Sequence, residues 1–468
     1  MNLKIKDILN CTNGKLIIGN ENYECTNYSK DTRTIKEHDT YIGIKGENFD
    51  GNLFWKDALD KGADVAIVNE LEISEEEKEK YKKEDKNIVM VEDTIIALGK
   101  IAKLKREMYG NNIKVIGVTG SVGKTSTKDM LANVISQKYK TLKTEGNYNN
   151  NIGLPLTILR LQDEEVAVIE MGMNHLGEIS YLSKIAKPDI SVITNVGTAH
   201  IGNLGSRENI LKAKLEILDG MENKVLIINN DNDLLYNWNI TDAQNVEVHT
   251  FGIKEKKECT AENLVLNETS SEFTCIYNND KFKITVPVCG EHFVLNSLCA
   301  VSVGKLLDIS NVQIEEGIKT FKLTAKRMEI SHLKNNITII NDSYNANYES
   351  MKAAILSINK MNGKRKIAVL GDMLELGDFS EKLHREIGIE IVKNNIEKLF
   401  IIGYSAKFIA EEAVNRGYNK ENIGIFKNNE ELYEYIKNNI LNGDTILFKA
   451  SNGMKLFNVV EKLTKDLN

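Results

Sequence analysis

The residues best suited to chemistry lie in GVTGSVGKTSTKDML, positions 117 to 131. Gly120 and Gly123 precede Lys124 and Thr125, with Ser121 and Ser126 in the same run. Glycines let backbone N–H groups curl around phosphate oxygens, and the start of a helix adds positive potential. Lys124 would reach the β- and γ-phosphates of a nucleotide, and the Thr125 hydroxyl would meet Mg²⁺. The strict pattern G-x-x-x-x-G-K-[ST] wants glycine at 118, where this chain has Val118. The match is therefore a G-x-x-G-K-T variant, weighed against a glycine-rich turn without a ligand. A motor, a switch, a kinase or a ligase can carry such a loop.

Three further positions bear on that choice. Glu170 ends the apolar run VAVIE, which would set a carboxylate at a strand's carboxyl edge, suited to a hard cation. A rim glutamate facing water is the plain alternative. His200 follows another apolar run, DISVITNVG, and so belongs to the same edge, although a lone histidine is often structural. Lys214 has Ile210, Leu211, Ile217 and Leu218 three and four positions away, which on a helix sets it inside an apolar stripe; Lys212 lies off that stripe. Either Lys214 snorkels out of the core, or burial lowers its pKa and frees a neutral amine. Such an amine can add CO₂ to form a carbamate, which turns a cation into an anion beside Mg²⁺.

These residues need a parallel sheet to bring them together. The strand-like IKVIGVT precedes the glycine loop, and the helix after it carries Met130, Leu131, Val134 and Ile135 on one face. EVAVIEMG and DISVITNVG read as further buried strands, and strand–helix alternation implies a parallel sheet with its loops at the carboxyl edge. From about residue 223 to 290 the pattern turns to β additions such as KFKITVPVCG. Alternation restarts near residue 324 with ITIIND, KIAVLGDM, KLFIIGYS, NIGIFK and DTILFKAS. The first hundred residues read as a smaller α/β unit, in which ISEEEKEKYKKEDK is a solvated face. The expected fold is α/β in three domains, in line with 468 residues at about 150 per domain. They are a small N-terminal α/β domain (1–108), a central P-loop domain with a mostly parallel sheet and β additions (109–323), and a C-terminal Rossmann-like doubly wound domain (324–468).

Composition narrows the class. A net charge of −7 argues against a nucleic-acid partner, so anionic ligands need local positive sites. The six cysteines form no C-x-x-C pair and follow no signal-like segment, so reduced thiols and a cytoplasmic setting are expected. No apolar run approaches the ~18 residues of a membrane span.

Nine stretches then add up to a resemblance. They are GVTGSVGKTS, TEGNYNNNIGLPLTIL, VIEMGMNHLGEI, TNVGTAHIGNLGSRENILKAKLEI, GEHFVLNSLCA, AKRME, NDSYNANYESM, GDMLELGDFSEKLH and KASNGMKL. In this order and spacing the chain resembles the Mur ligases, ATP-dependent amide-forming enzymes of bacterial peptidoglycan precursor synthesis. The resemblance runs nearly end to end. NDSYNANYESM and GDMLELG point to the branch that adds D-alanyl-D-alanine to UDP-N-acetylmuramoyl-tripeptide. A ligase for another acceptor, folyl substrates included, and a P-loop switch are the rivals.

The resemblance implies the following roles. Lys124 and Thr125 act at the ATP phosphates and Mg²⁺, together with Gly120, Ser121, Gly123 and Ser126. Glu170, His200 and a carbamylated Lys214 join Thr125 at the metal. Asn296, Arg327 and Asp342 contact ATP. Thr32, Arg33, Lys45 and Gly46, with Asn149 and Asn150, meet the UDP substrate, and Tyr344, Asn345 and Asn347 meet the dipeptide. A monomer is expected. There are departures. Thr32 replaces a usual serine and keeps its hydroxyl, Phe293 replaces an asparagine near the nucleotide, and Tyr348 replaces a proline after the acceptor strand.

Overall fold

Three sheets, each with its own helices, follow one another along the chain. The computed structural model describes residues 2–46, 49–254 and 257–467. In the first sheet, Glu24–Ser29, Asp39–Ile42, Val65–Val68 and Asn87–Met90 run parallel, with Leu3–Lys4 and Lys15–Ile18 antiparallel at the two edges. The VAIV strand is buried along its whole length, as a strand covered on both faces must be. The charged run forms a helix at Glu75–Lys83, started by a Ser74–Glu77 capping box, and buries only Tyr81.

Among the described residues the central sheet has nine strands. From one edge, Thr141–Lys143, Val166–Glu170, Lys114–Thr119, Ile190–Ile193, Val225–Asn229, Glu247–Gly252 and Cys259–Leu266 are parallel neighbours. Ser271–Tyr277 and Asp280–Val286 then extend the sheet antiparallel, so the β additions belong to the central sheet itself. The third sheet orders Glu329–Leu333, Ile337–Asn341, Asp444–Lys449, Arg365–Gly371, Lys398–Ile402 and Ile423–Phe426, all parallel after the first pair. This is the α/β architecture that the alternating pattern requires.

The joints between sheets are packed. Helix Thr94–Tyr109 lies against Ile5–Thr12 on one side and against Gly153–Leu159 and Glu178–Ala186 on the other. Its Arg106 donates to the carbonyls of Ala186 (3.0 Å) and Lys187 (3.2 Å), and positions 108 and 109 fall in its last turn. Between the central and third sheets, Thr324 Oγ1 donates to Asp129 Oδ2 at 2.5 Å, and Asn362 donates from N and Nδ2 to the Glu268 carboxylate. Among the described residues no helix is long and apolar enough to cross a membrane.

Candidate active site

The phosphate loop leaves the middle of the central sheet. Val118, at the position of the missing glycine, is a fully buried strand residue in register with Glu170. The variant pattern therefore leaves the loop intact, because position 118 still belongs to the strand. Gly120 follows at φ +154°, where a Cβ would stand 1.9 Å from Thr194 Oγ1; no side chain fits there. The loop is braced from the next strand's exit. Thr194 Oγ1 and Asn195 Nδ2 donate to the Val122 carbonyl (2.7 and 3.0 Å), and Val122 N donates to Asn195 Oδ1 (3.0 Å). Gly197 N donates to Ser121 Oγ at 2.9 Å. Gly123, left-handed at φ 81°, begins helix Lys124–Ile135, so that helix's free N–H groups face the loop.

Lys124 Nζ donates to the Gly120 carbonyl at 2.7 Å. The side chain is partly open to the cavity, yet dense surroundings desolvate it and lower its pKa, while Glu170 pulls the other way. Glu170 is 2% exposed. Its Oε1 accepts from Asn149 Nδ2 at 2.8 Å and its Oε2 has no hydrogen-bond partner. A buried carboxylate oxygen left unpaired is costly and asks for a cation.

The arrangement fits Mg²⁺. Thr125, Glu170 and His200 line one cavity of about 400 Å³ with the phosphate loop. Among the described residues no three His, Cys, Asp or Glu side chains converge as a metal cage. A cation that keeps phosphate and water ligands needs only one or two carboxylates from the protein. His200 sits in a left-handed conformation, its Nδ1 2.6 Å from Glu375 Oε2. This contact holds the Glu375 carboxyl below the usual glutamate range. Lys214, on helix Arg207–Leu215, is 1% exposed, whereas Lys212 faces solvent. It has no hydrogen-bond or ion-pair partner among the described residues and does not line the cavity. Desolvation, reinforced by Lys124, holds its pKa well below the usual lysine value.

The third sheet closes over this site. Arg327 Nη2 donates to Thr125 Oγ1 at 3.0 Å, and its guanidinium lies 4.1 Å over the Tyr344 ring. Asp342 Oδ2 accepts from the buried Lys449 at 2.5 Å, and Oδ1 accepts from Met328 N at 3.1 Å. Glu349 takes Thr198 N (2.8 Å) and Thr198 Oγ1 (3.0 Å) across the junction, and burial raises its pKa. Close against Gly123 of the loop, Asn296 Oδ1 accepts from Thr127 Oγ1 at 3.0 Å. Beside it Phe251 and Phe293 make an apolar wall, and His292 packs 4.2 Å from Phe293, its pKa pushed by burial down to about 4. At Phe293 the cavity wall thus has an apolar ring in place of an amide. Tyr348 opens helix Tyr348–Lys360 behind an Asn347 capping box, so the helix starts without the proline.

The cavity gathers Ser121, Gly123, Lys124, Thr125, Ser126, Glu170, His200, Asn296, Arg327 and Asp342, and also Tyr344, Asn345 and Asn347. Gly120 supports it through its carbonyl. Asn149 and Asn150 line it as well, but Asn149 holds Glu170, and Asn150 Oδ1 accepts from Ile152 N and Gly153 N at a helix start. Thr32, Arg33, Lys45 and Gly46 lie in the loops before and after strand Asp39–Ile42 of the first unit and line no part of it. There Arg33 forks onto Asp31 (2.9 and 2.6 Å), Lys45 pairs with Glu70 at 3.0 Å, and Gly46 N donates to Phe49 O at 2.8 Å. Residues 47 and 48 of that stretch lie outside the described residues. Sequence reasoning missed Asn195, Glu349, Glu375 and Lys449. A lysine inside the apolar strand DTILFK was a readable signal; the other three depend on which loops meet.

A P-loop whose nucleotide cavity is roofed by a second α/β unit defines a nucleotide-dependent enzyme with a split site. Three family models match along the chain: "Mur ligase family, catalytic domain" at 24–106, "Mur ligase middle domain" at 118–304 and "Mur ligase, glutamate ligase domain" at 326–452. The UDP-N-acetylmuramoyl-tripeptide–D-alanyl-D-alanine ligase of Bacillus subtilis is 39% identical over 99% of this chain and 98% of its own length. A crystal structure of MurF from Acinetobacter baumannii covers 99% of both chains at 30% identity and TM-score 0.88. The MurF ligase of Thermotoga maritima in complex with ADP covers 94% of this chain and 98% of its own at 27% identity and TM-score 0.80. This chain belongs to the Mur ligase family.

Proposed function

We infer that this chain is an ATP-dependent ligase that joins D-alanyl-D-alanine to UDP-N-acetylmuramoyl-tripeptide, giving the UDP-linked pentapeptide, ADP and phosphate for peptidoglycan synthesis. Its support is the end-to-end likeness to relatives named for that reaction. The observation that carries it is the Arg327–Thr125 bond, through which the third unit touches the phosphate loop itself.

A carboxylate acylates poorly because oxide would have to leave. Attack of the tripeptide carboxylate on the γ-phosphoryl group releases ADP and makes an acyl phosphate. A neutral amine then attacks the acyl carbon, phosphate leaves, and the amine's proton is lost. Most of the protein's task is positioning and charge neutralisation. Lys124 and the loop N–H groups hold the phosphoryl oxygens, with Gly120, Ser121, Gly123 and Ser126 shaping the cradle. Asn296, Arg327 and Asp342 fix the nucleotide between the two units. Mg²⁺ supplies Lewis-acid neutralisation of phosphoryl charge. Thr125, Glu170, His200 and a CO₂-derived carbamate on Lys214 would hold it. That carbamate would account for a buried lysine without a partner. Thr32, Arg33, Lys45 and Gly46 bind the UDP portion, Asn149 and Asn150 the substrate nearer the reacting end, and Tyr344, Asn345 and Asn347 the dipeptide. The protein works as a monomer in the cytoplasm, a compartment that accords with six free cysteines.

The test is product mass. With Mg²⁺-ATP, UDP-N-acetylmuramoyl-tripeptide and D-alanyl-D-alanine, a product heavier than the tripeptide substrate by the dipeptide less water is expected. A product formed only with a single amino acid or with a folyl substrate would overturn the assignment.

A further inference from the structure

A smaller cavity of about 170 Å³ adjoins the first. It lies among the loops that follow Ile337–Asn341, Asp444–Lys449 and Arg365–Gly371, three adjacent strands of the third sheet. Ser121, Lys124, His200 and Asn347 line both cavities, so an occupant would face the γ-phosphate end of the loop. The far wall is apolar at Ala199, Leu374 and Leu376 and polar at Ser451 and Asn452. Among the described residues Glu375 is the one acidic side chain lining it.

Glu375 is held in place by its backbone. Its φ is +64°, its carbonyl accepts from Gly202 N at 3.1 Å, and Leu374 N before it donates to Ser451 Oγ at 2.9 Å. Its Oε2 faces His200, while Oε1 has no hydrogen-bond partner among the described residues, and the side chain is 53% exposed. The amide nitrogens of Asn345 and Asn347 are likewise unbonded there, because only their oxygens are used, by Ala346 N and Ser350 N. The cavity thus presents one anion, two amide donors and an apolar patch.

We propose that Glu375 receives the ammonium group of the acceptor, and so selects dipeptides with a free amino end and small side chains. This rests on the ligase reading above. The ammonium meets Oε1, the asparagine amides meet the peptide carbonyl or terminal carboxylate, and the methyl groups lie against Leu374 and Leu376. The amino nitrogen is thereby stationed beside Lys124, where the acyl phosphate forms.

The test pairs two ligands with two variants. N-propanoyl-D-alanine is the dipeptide with its amino group replaced by hydrogen, and serves as a competitive inhibitor. Glu375→Gln should raise the KM for D-alanyl-D-alanine about ten- to hundredfold, the worth of a hydrogen bond to a charged group. The Ki of N-propanoyl-D-alanine and the KM for ATP should stay unchanged. Glu375→Asp, which keeps the charge at shorter reach, should fall between. An unchanged dipeptide KM would overturn the proposal. So would a parallel rise in KM and Ki, because Glu375 would then act by shaping the cavity or by holding His200. A wild-type protein that ligates no dipeptide would overturn the parent reading along with it. Thermal midpoints confirm that each variant is folded.

Discussion

Replacing Lys214 by methionine separates stability from activity. The lysine is 1% exposed, and its amine has no hydrogen-bond or ion-pair partner among the described residues. Its nearest charged influence is another cation, Lys124. Burying an uncompensated polar group costs about 1–3 kcal/mol by protein mutational data. Methionine has nearly the same length and no polar atom, so Lys214→Met should recover that cost. For a unit of this size, 1 kcal/mol moves the midpoint by about 2–4 °C, so the central unit should melt roughly 2–12 °C higher. Ligation should vanish, because methionine cannot carry a carbamate. Lys214→Arg should not restore it, for the same reason. Differential scanning calorimetry of the metal-free protein, alongside phosphate release with all substrates, reads both effects. A destabilised Lys214→Met protein would mean that the lysine has a structural role. Retained activity in Lys214→Met or Lys214→Arg would remove the carbamate.

Three further outcomes follow from the same contacts. Gly120→Ala drives a Cβ to 1.9 Å from Thr194 Oγ1 at φ +154°, so ATP binding should be lost, and Thr194→Ala should recover part of the lost thermal stability in the double variant. Arg327→Ala should raise the KM for ATP about ten- to hundredfold, and Arg327→Lys should not restore it, because a planar guanidinium is what stacks on Tyr344 while bonding Thr125. Glu349 has a raised pKa from burial, offset in part by its bonds to Thr198 and by Arg207. Its folded form therefore holds a proton that the unfolded chain has released, and stability falls as pH rises from the usual glutamate range through the raised value. Glu349→Gln should gain on the wild type across that window in melting temperatures taken from pH 4 to 8, and a variant that loses ground would refute the sign.

The sheet architecture was legible because its signals are local. VAVIE, ISVI and DTILFK are short apolar runs between helical patterns, and the structure makes each a buried parallel strand. Lys214 was legible for the same reason: helical spacing alone puts it between Ile210 and Ile217, both fully buried. Position 118 was harder to read, because a sequence pattern does not say where the strand ends and the loop begins; the register with Glu170 does. The roofing contacts were hidden for a different reason. Glu349 reaches Thr198 across 151 positions, and Glu375 faces His200 across a junction that no periodicity encodes. Asn149 lines the cavity and also holds Glu170 through its amide, a bond across 21 positions that its sequence neighbours do not announce.

Arg327 and Thr125 belong to different units yet share one hydrogen bond; on the proposed reading such a split site would be whole only with the units together, which would keep water from an acyl phosphate. The most direct measurement is phosphate release from Mg²⁺-ATP, with UDP-N-acetylmuramoyl-tripeptide and D-alanyl-D-alanine supplied separately and together. Release that is slight with ATP alone and reaches its full rate only with both cosubstrates is the expected result. Vigorous release without the acceptor would contradict it.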